Sequence, residues 1–139
     1  MFEIEFYTNK NGISELNDEL LILSKKSISN KDARIQIKQI YFFIELLRNK
    51  GTQLPSNITK HLVDDIWELR PGSNRILYFY FKNNKFVLLH IFRKKTQKTP
   101  ISEIEKAKRE RLDYISRNGE KWLWEHGKIL KKMLKTLTQ

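Results

Sequence analysis

The side chains with the most chemical reach in this sequence are cationic, and they gather in two short stretches. Arg70 and Arg75 flank the turn Pro71-Gly72-Ser73-Asn74, while Arg93, Lys94, Lys95 and Lys98 put four cations into six residues. A guanidinium is a planar fork of donors that matches two phosphate oxygens, whereas a lysine ammonium meets them as a point charge. Such a set can hold a phosphodiester and steady charge building on it. The plainer alternatives are a solvated basic face and, for Arg70, an ion pair with Glu68 or a neighbour. Candidates for proton transfer are fewer. The three histidines, His61, His90 and His126, have no spacing that would pair them. His90 sits in the apolar run Leu88-Leu89-His90-Ile91-Phe92, where alternation puts it on the side of Leu88 and Phe92. A satisfied core histidine is the more ordinary reading there, with catalysis the sharper one. His61 reads as a loop residue ahead of the sheet, and Asp64-Asp65 as a loop pair.

Other chemistries are excluded or unsupported. There is no cysteine, so disulfides, thiol catalysis and cysteine-ligated metals are ruled out. No metal-ligand spacing occurs, and the five glycines form no phosphate-cradling loop. No cofactor is expected. The 139 residues suit one ordinary domain with a core of its own. No stretch is long and uncharged enough to cross a bilayer, so the expectation is a cytoplasmic protein.

The formal net charge is +11, unevenly spread. Residues 1–92 hold 13 Lys/Arg against 10 Asp/Glu, a net +3, and residues 93–139 hold 14 against 6, a net +8. That excess points to a polyanionic partner, either nucleic acid or a membrane surface.

The elements that must position these cations can be read from hydrophobic period and turn chemistry. Residues 2–7 alternate, with Phe2, Ile4 and Phe6 on one face and Glu3 and Glu5 on the other, as in a half-buried strand. Ser14 can cap a helix carrying Leu16, Leu20, Leu21 and Leu23. A second helix starts near Asn30, runs through Ile37, Ile40, Tyr41, Ile44 and Leu47, and stops at Gly51. Residues 66–70 read as a strand, and 75–82 with 85–92 as a hairpin turning at Asn83-Asn84. The second hairpin strand is apolar enough to be covered on both faces. Ser102 and Glu105 have capping-box spacing and open a helix with Ile104, Ala107, Leu112 and Ile115, which is predicted to stop near Asn118-Gly119. A last amphipathic, basic segment follows, with Trp122, Trp124, Leu130 and Leu134. The expected fold is α+β: a small antiparallel sheet in β-α-α-β-β-β-α order, helices on one side, and an extra C-terminal helix.

In that frame several residues occur in order: Trp67-Glu68-Leu69-Arg70, Arg75-Ile76-Leu77-Tyr78-Phe79, Leu88-Leu89-His90-Ile91-Phe92, and Lys94 to Pro100, followed by Glu103, Ile104 and Ala107. Together they resemble the RelE/ParE superfamily of type II toxins, and most nearly its phage-derived, HigB-like branch. The resemblance covers about residues 1–118, taken as the toxin domain. Residues 119–139 are a basic extension to which nothing from the family transfers. It implies a microbial RNase fold acting as an mRNA endoribonuclease at the ribosome, and a cognate helix-turn-helix antitoxin forming an oligomer with the toxin. Arg75 falls where the family's phosphate-stabilising arginine lies. Arg93-Lys94-Lys95 falls at a second phosphate contact, with Lys95 or Lys94 as general acid or, where neighbouring cations favour the neutral amine, as base. Arg70, Arg93 and Lys98 would add RNA contacts, while His90 and His61 are further candidates. Some relatives carry a tyrosine where this chain has Ile101, leaving Tyr78, Tyr80 or Tyr114 as substitutes. ParE relatives share the fold yet inhibit DNA gyrase, so the alternative is a non-catalytic inhibitor of a protein target.

Overall fold

The computed structural model describes the backbone of residues 1–138 and the side chains of residues 1–118, 135 and 136. Nine elements follow the chain: β1 (Glu3–Phe6), α1 (Glu15–Lys26), α2 (Lys31–Lys50), a short 3-10 turn (Gly51–Gln53), β2 (Thr59–Val63), β3 (Ile66–Leu69), β4 (Asn74–Phe81), β5 (Lys85–Arg93) and α3 (Ile101–Thr138).

Local chemistry sets most of the boundaries. The Ser14 hydroxyl accepts from Asn17 N–H at 3.1 Å and the Asn30 carbonyl oxygen from Ala33 N–H at 2.9 Å, so both helices of the first hairpin start on side-chain caps. Gly51 ends α2 at φ +62, and a Cβ there would lie 2.8 Å from the Phe2 ring, so position 51 needs glycine twice over. Asn83 and Asn84 both take φ +63, the left-handed pair that a two-residue hairpin turn requires.

The sheet has five strands in the order β1-β5-β4-β3-β2. It is mixed rather than antiparallel throughout, because β1 pairs parallel to β5, with Glu3 opposite Lys85 and Phe6 opposite Leu88. The segment predicted as loop before Ile66 contains β2, an edge strand antiparallel to β3, so His61 lies on a strand opposite Trp67. Asp64, at φ +51, and Asp65 form the turn into β3. The order is therefore β-α-α-β-β-β-β-α.

Helices cover both faces of the sheet, not one. On the first face α1 and α2 bury Leu16, Leu20, Ile37, Ile40, Ile44 and Leu47 against Leu69, Ile76, Tyr78, Phe86 and Leu88, with Phe2, Ile4 and Phe6 alongside. On the second, α3 brings Ala107 and Tyr114 against Ile66, Leu77, Phe79, Val87 and Leu89. This alternation explains why β4 and β5 are apolar on nearly every residue.

α3 opens on the Pro100 carbonyl, which accepts from Glu103 and Ile104 N–H at 3.1 and 3.2 Å. Ser102 thus sits inside the first turn rather than at the cap. Leu112 faces outward instead of joining the core. The backbone stays helical through Asn118-Gly119, where a stop was predicted; one glycine costs a helix only about 1 kcal/mol and does not by itself end it. The expected roles of Trp122, Trp124 and His126 fall outside the described side chains. Among the described residues, no helix is long and apolar enough to cross a membrane.

Candidate functional site

Strand phase carries a row of charged groups onto the α3 side of the sheet. Ile66 packs toward α3 and Leu69 toward α2, so Glu68 between them points to α3. Arg75 follows from the same count on β4, two residues before Leu77. On β5 the pairing slips by one residue: His90 lies opposite Leu77 and Leu88 opposite Tyr78, leaving Leu89 without a partner. This β-bulge shifts the phase. His90 consequently faces α3 along with Leu89 and Phe92, not with Leu88 as simple alternation predicts.

Glu68 is the hub of the first half of this row. Its side chain is buried, and it accepts from the Thr99 hydroxyl at 2.5 Å while standing 3.5 Å from Arg70 Nε and 4.0 Å from Arg75 Nε. Arg75 is oriented further by its own backbone: Nη1 donates to the Gly72 and Asn74 carbonyls at 2.7 and 2.8 Å. Its Nη2 donates to no described protein group. Burial lowers the Arg75 pKa, with Glu68 opposing that shift and Arg70 adding to it; an arginine starts high enough to stay charged. Arg70 is tied elsewhere as well, donating to the Ser56 carbonyl at 3.0 Å.

The segment 94–100 lies over this hub. Lys94 N–H donates to the Ser73 carbonyl at 2.8 Å, and the Thr99 bond to Glu68 pins the other end. Between these ties Lys94, Lys95 and Lys98 are exposed and make no ion pair among the described residues. Arg75, Glu68, Lys94, Lys95 and Lys98 line one cleft of about 10 Å³, room for a single water. A larger anion would therefore rest on the cleft's rim, against the lysine ammonium groups, rather than sink into it.

His90 belongs to the same row but is sealed. It is 1% exposed, with Nε2 2.7 Å from a Glu103 carboxylate oxygen and Nδ1 bonded to Glu110. Both carboxylates can accept from the ring only when it carries two protons. A histidine so held clamps the bulge of β5 to α3 and has no nitrogen left for a reacting group. His61 lies apart, exposed on the edge strand, its Nε2 donating to the Asp64 carbonyl at 2.6 Å and its ring 5.3 Å from Trp67. Arg93 turns to the other side of the sheet, donating to the Gln36 side-chain oxygen at 2.6 Å.

The predicted residues thus divide. Arg75, Lys94, Lys95 and Lys98 come together, Arg70 joins them through Glu68, and Arg93, His61 and His90 do not share the cleft. None of the substitute tyrosines reaches it. Tyr78 is buried on the α2 side, sharing a 2.6 Å hydrogen bond with Thr59. Tyr80 lies at the β4–β5 turn, accepting from Asn84 N–H at 3.0 Å, and Tyr114 donates to Glu5. Ile101 is exposed at the start of α3. Sequence reading missed Thr99, Glu103 and Glu110 as site residues and offered Glu68 only as an ion-pair partner of Arg70, a pair that forms at 3.5 Å. A signal was present for two of them: Glu103 and Glu110 are two helical turns apart, with the small Ala107 midway, the spacing of a helix face that approaches a sheet closely.

Among the described residues no group of His, Asp or Glu is arranged to hold a metal ion. Residues 26–112, more than half the chain, match the family model described as phage derived protein Gp49-like (DUF891), and this span holds α2, β2 to β5 and the start of α3. No curated protein matches the chain. The mixed five-stranded sheet, with its cationic segment and buried Glu68–Arg75 pair, is thus the scaffold of a member of the Gp49-like phage-derived protein family, to which this chain belongs.

Proposed function

We propose that the chain is the toxin of a type II toxin–antitoxin pair, a ribosome-dependent endoribonuclease that cuts messenger RNA and is silenced by a helix-turn-helix antitoxin. The order of strands and helices is read as a RelE-like microbial RNase fold of the HigB-like branch, with residues 1–118 as the toxin domain and 119–139 as a basic extension. Family membership supports a toxin-like protein with an antitoxin partner. One observation carries the chemistry: three lysines without an ion pair among the described residues ride on a segment pinned above an arginine whose Nη2 donates to no described protein group.

In this reading the ribosome presents the message, the 2′-hydroxyl attacks the adjacent phosphorus and passes its proton to water, and the 5′-oxygen departs to leave a 2′,3′-cyclic phosphate. Lys94 holds the phosphate oxygens at the rim as charge accumulates, with Arg75 adding positive potential from beneath, Lys95 delivers the proton to the leaving oxygen, and Lys98 and Arg70 contact the flanking backbone. Arg93 would serve RNA bound around the sheet end, outside the cleft. His90 and His61 have no part. With no histidine in the cleft, rate depends on positioning and positive charge.

The test is growth arrest on induction. The Arg75→Ala/Lys95→Ala variant is expected to lose arrest while retaining its fold and its antitoxin. Because removing Arg75 takes one of two cations from the buried Glu68 carboxylate, the exposed triple variant Lys94→Ala/Lys95→Ala/Lys98→Ala serves as the fold-neutral check. Full toxicity in both would overturn the site assignment. DNA-damage signalling without cleaved message would favour inhibition of gyrase instead.

A further inference from the structure

The outer face of α2 combines exposed large apolar residues with exposed cations. Its inner stripe, Ala33, Ile37, Ile40, Ile44 and Leu47, is buried against the sheet. Half a turn away, at helical spacing, Lys31, Arg34, Ile35, Lys38, Tyr41 and Phe42 point outward. Ile35, Tyr41 and Phe42 are 55%, 50% and 61% exposed, although each could have been polar at no cost to the core. Lys31 and Lys38 make no ion pair among the described residues, and Arg34 is held only at the Ser27 carbonyl, 2.9 Å from Nη1. Large apolar groups spread over two turns of one face, interleaved with cations that make no ion pair among the described residues, mark a binding surface rather than scattered surface residues.

We infer that this face docks an acidic amphipathic helix of the partner antitoxin, taking its apolar residues on Ile35, Tyr41 and Phe42 and its carboxylates on Lys31, Arg34 and Lys38. The inference rests on the toxin–antitoxin reading for the existence of that partner and adds where it binds. Charge decides the occupant. A second copy of this chain would set three cations and only one carboxylate, Glu45, against the same set, leaving most of the cations unmatched. An RNA backbone would satisfy the cations but leave Ile35, Tyr41 and Phe42 without apolar cover. An acidic helix satisfies the cations and covers the aromatics, the groove-and-anchor mode of helix recognition. The face lies on the opposite side of the sheet from the Arg75 cleft. The antitoxin would thus be anchored without depending on the residues that carry out the reaction.

The experiment pairs the purified chain with the product of the adjacent open reading frame. Ile35→Glu/Phe42→Glu changes two exposed side chains and is expected to keep the thermal midpoint while weakening the complex by about 30-fold or more, as loss of interface anchors does. Lys31→Ala/Lys38→Ala is expected to slow association, most visibly at low salt. Amide exchange of the wild-type complex should protect residues 31–45. In cells, Ile35→Glu/Phe42→Glu should arrest growth even when the partner is co-expressed. Wild-type affinity in that variant, or protection confined to residues 94–100, would overturn the surface while leaving the partner in place. Complete absence of binding by the wild-type chain would overturn the partner reading and this surface with it. Loss of ribosome binding with intact partner binding would reassign the face to RNA.

Discussion

The two faces of the sheet are built on different physics. Against α1 and α2 the interior is a continuous apolar layer from Leu16 and Leu20 through Ile40 and Leu47 to Ile76 and Leu88, with the Tyr78–Thr59 hydroxyl pair as a polar exception. Against α3 the layer is smaller, and ion pairs and hydrogen bonds frame it: Glu68 with Arg70 and Arg75, His90 with Glu103 and Glu110, Tyr7 with Asp113, Tyr114 with Glu5, and Asp65 with Arg111. Apolar burial gains free energy wherever area leaves water, so the first face tolerates repacking. A buried charge is stable only with its partner in place, so the second face is exact about geometry but contributes little net stability. One face holds the fold, and the other fixes where its cations stand.

The contrast can be broken at several points, the largest expected effect first. Leu16 is fully buried on the apolar face, and Leu16→Ala should cost about 4 kcal/mol of unfolding free energy in chemical denaturation. On the charged face, His90→Leu should cost about 3 kcal/mol despite adding apolar volume, because it leaves the Glu103 and Glu110 carboxylates facing a hydrocarbon. The sharper test is the triple variant His90→Leu/Glu103→Leu/Glu110→Leu. It should return to within about 1 kcal/mol of wild type, since the whole network then goes together. If the single variant proved neutral, the clamp would be no more than surface decoration.

The smallest expected effect comes from Tyr7. Burial, and then its 2.6 Å hydrogen bond to Asp113, push the Tyr7 hydroxyl up to about 12 from an ordinary 10.0. The folded state therefore holds this proton more tightly than the unfolded chain. Its contribution is complete below pH 10 and is lost as pH rises from about 10 to about 12. Tyr7→Phe should cost about 1 kcal/mol at neutral pH and flatten that alkaline decline. It should not abolish it, because burial also raises Tyr78 and Tyr114. The same change should lift the Asp113 carboxyl toward its usual range. Tyr7 is the main group holding it down, and Arg117 is the next. An NMR titration of Asp113 in the two proteins reads this directly.

Much of the fold was legible because it is written in local chemistry. Ser14, Asn30, Gly51 and Asn83-Asn84 each satisfy a terminus or turn whose backbone demands that residue type. What stayed hidden depends on distant partners or small asymmetries. The parallel pairing of β1 joins segments some eighty residues apart, and no short-range signal encodes it. β2, Thr-Lys-His-Leu-Val, is an edge strand too polar to show an alternating pattern. The bulge at Leu89 is invisible in an all-apolar run, yet it decides which way His90 points. The cleft was partly legible: Arg75 and the lysines were found as cations flanking turns. Glu68 was legible as a partner for nearby Arg70 but not as the organiser, because Arg75 and Thr99 reach it only across a turn and from a loop 31 residues on.

The central claim, that the charged face exists to place cations against a message, is tested most directly by mapping RNA 5′ ends shortly after induction. Wild type should produce new ends inside translated reading frames, and Arg75→Ala/Lys95→Ala should produce none above background. Identical ends in both, or growth arrest by wild type with messages intact, would contradict it.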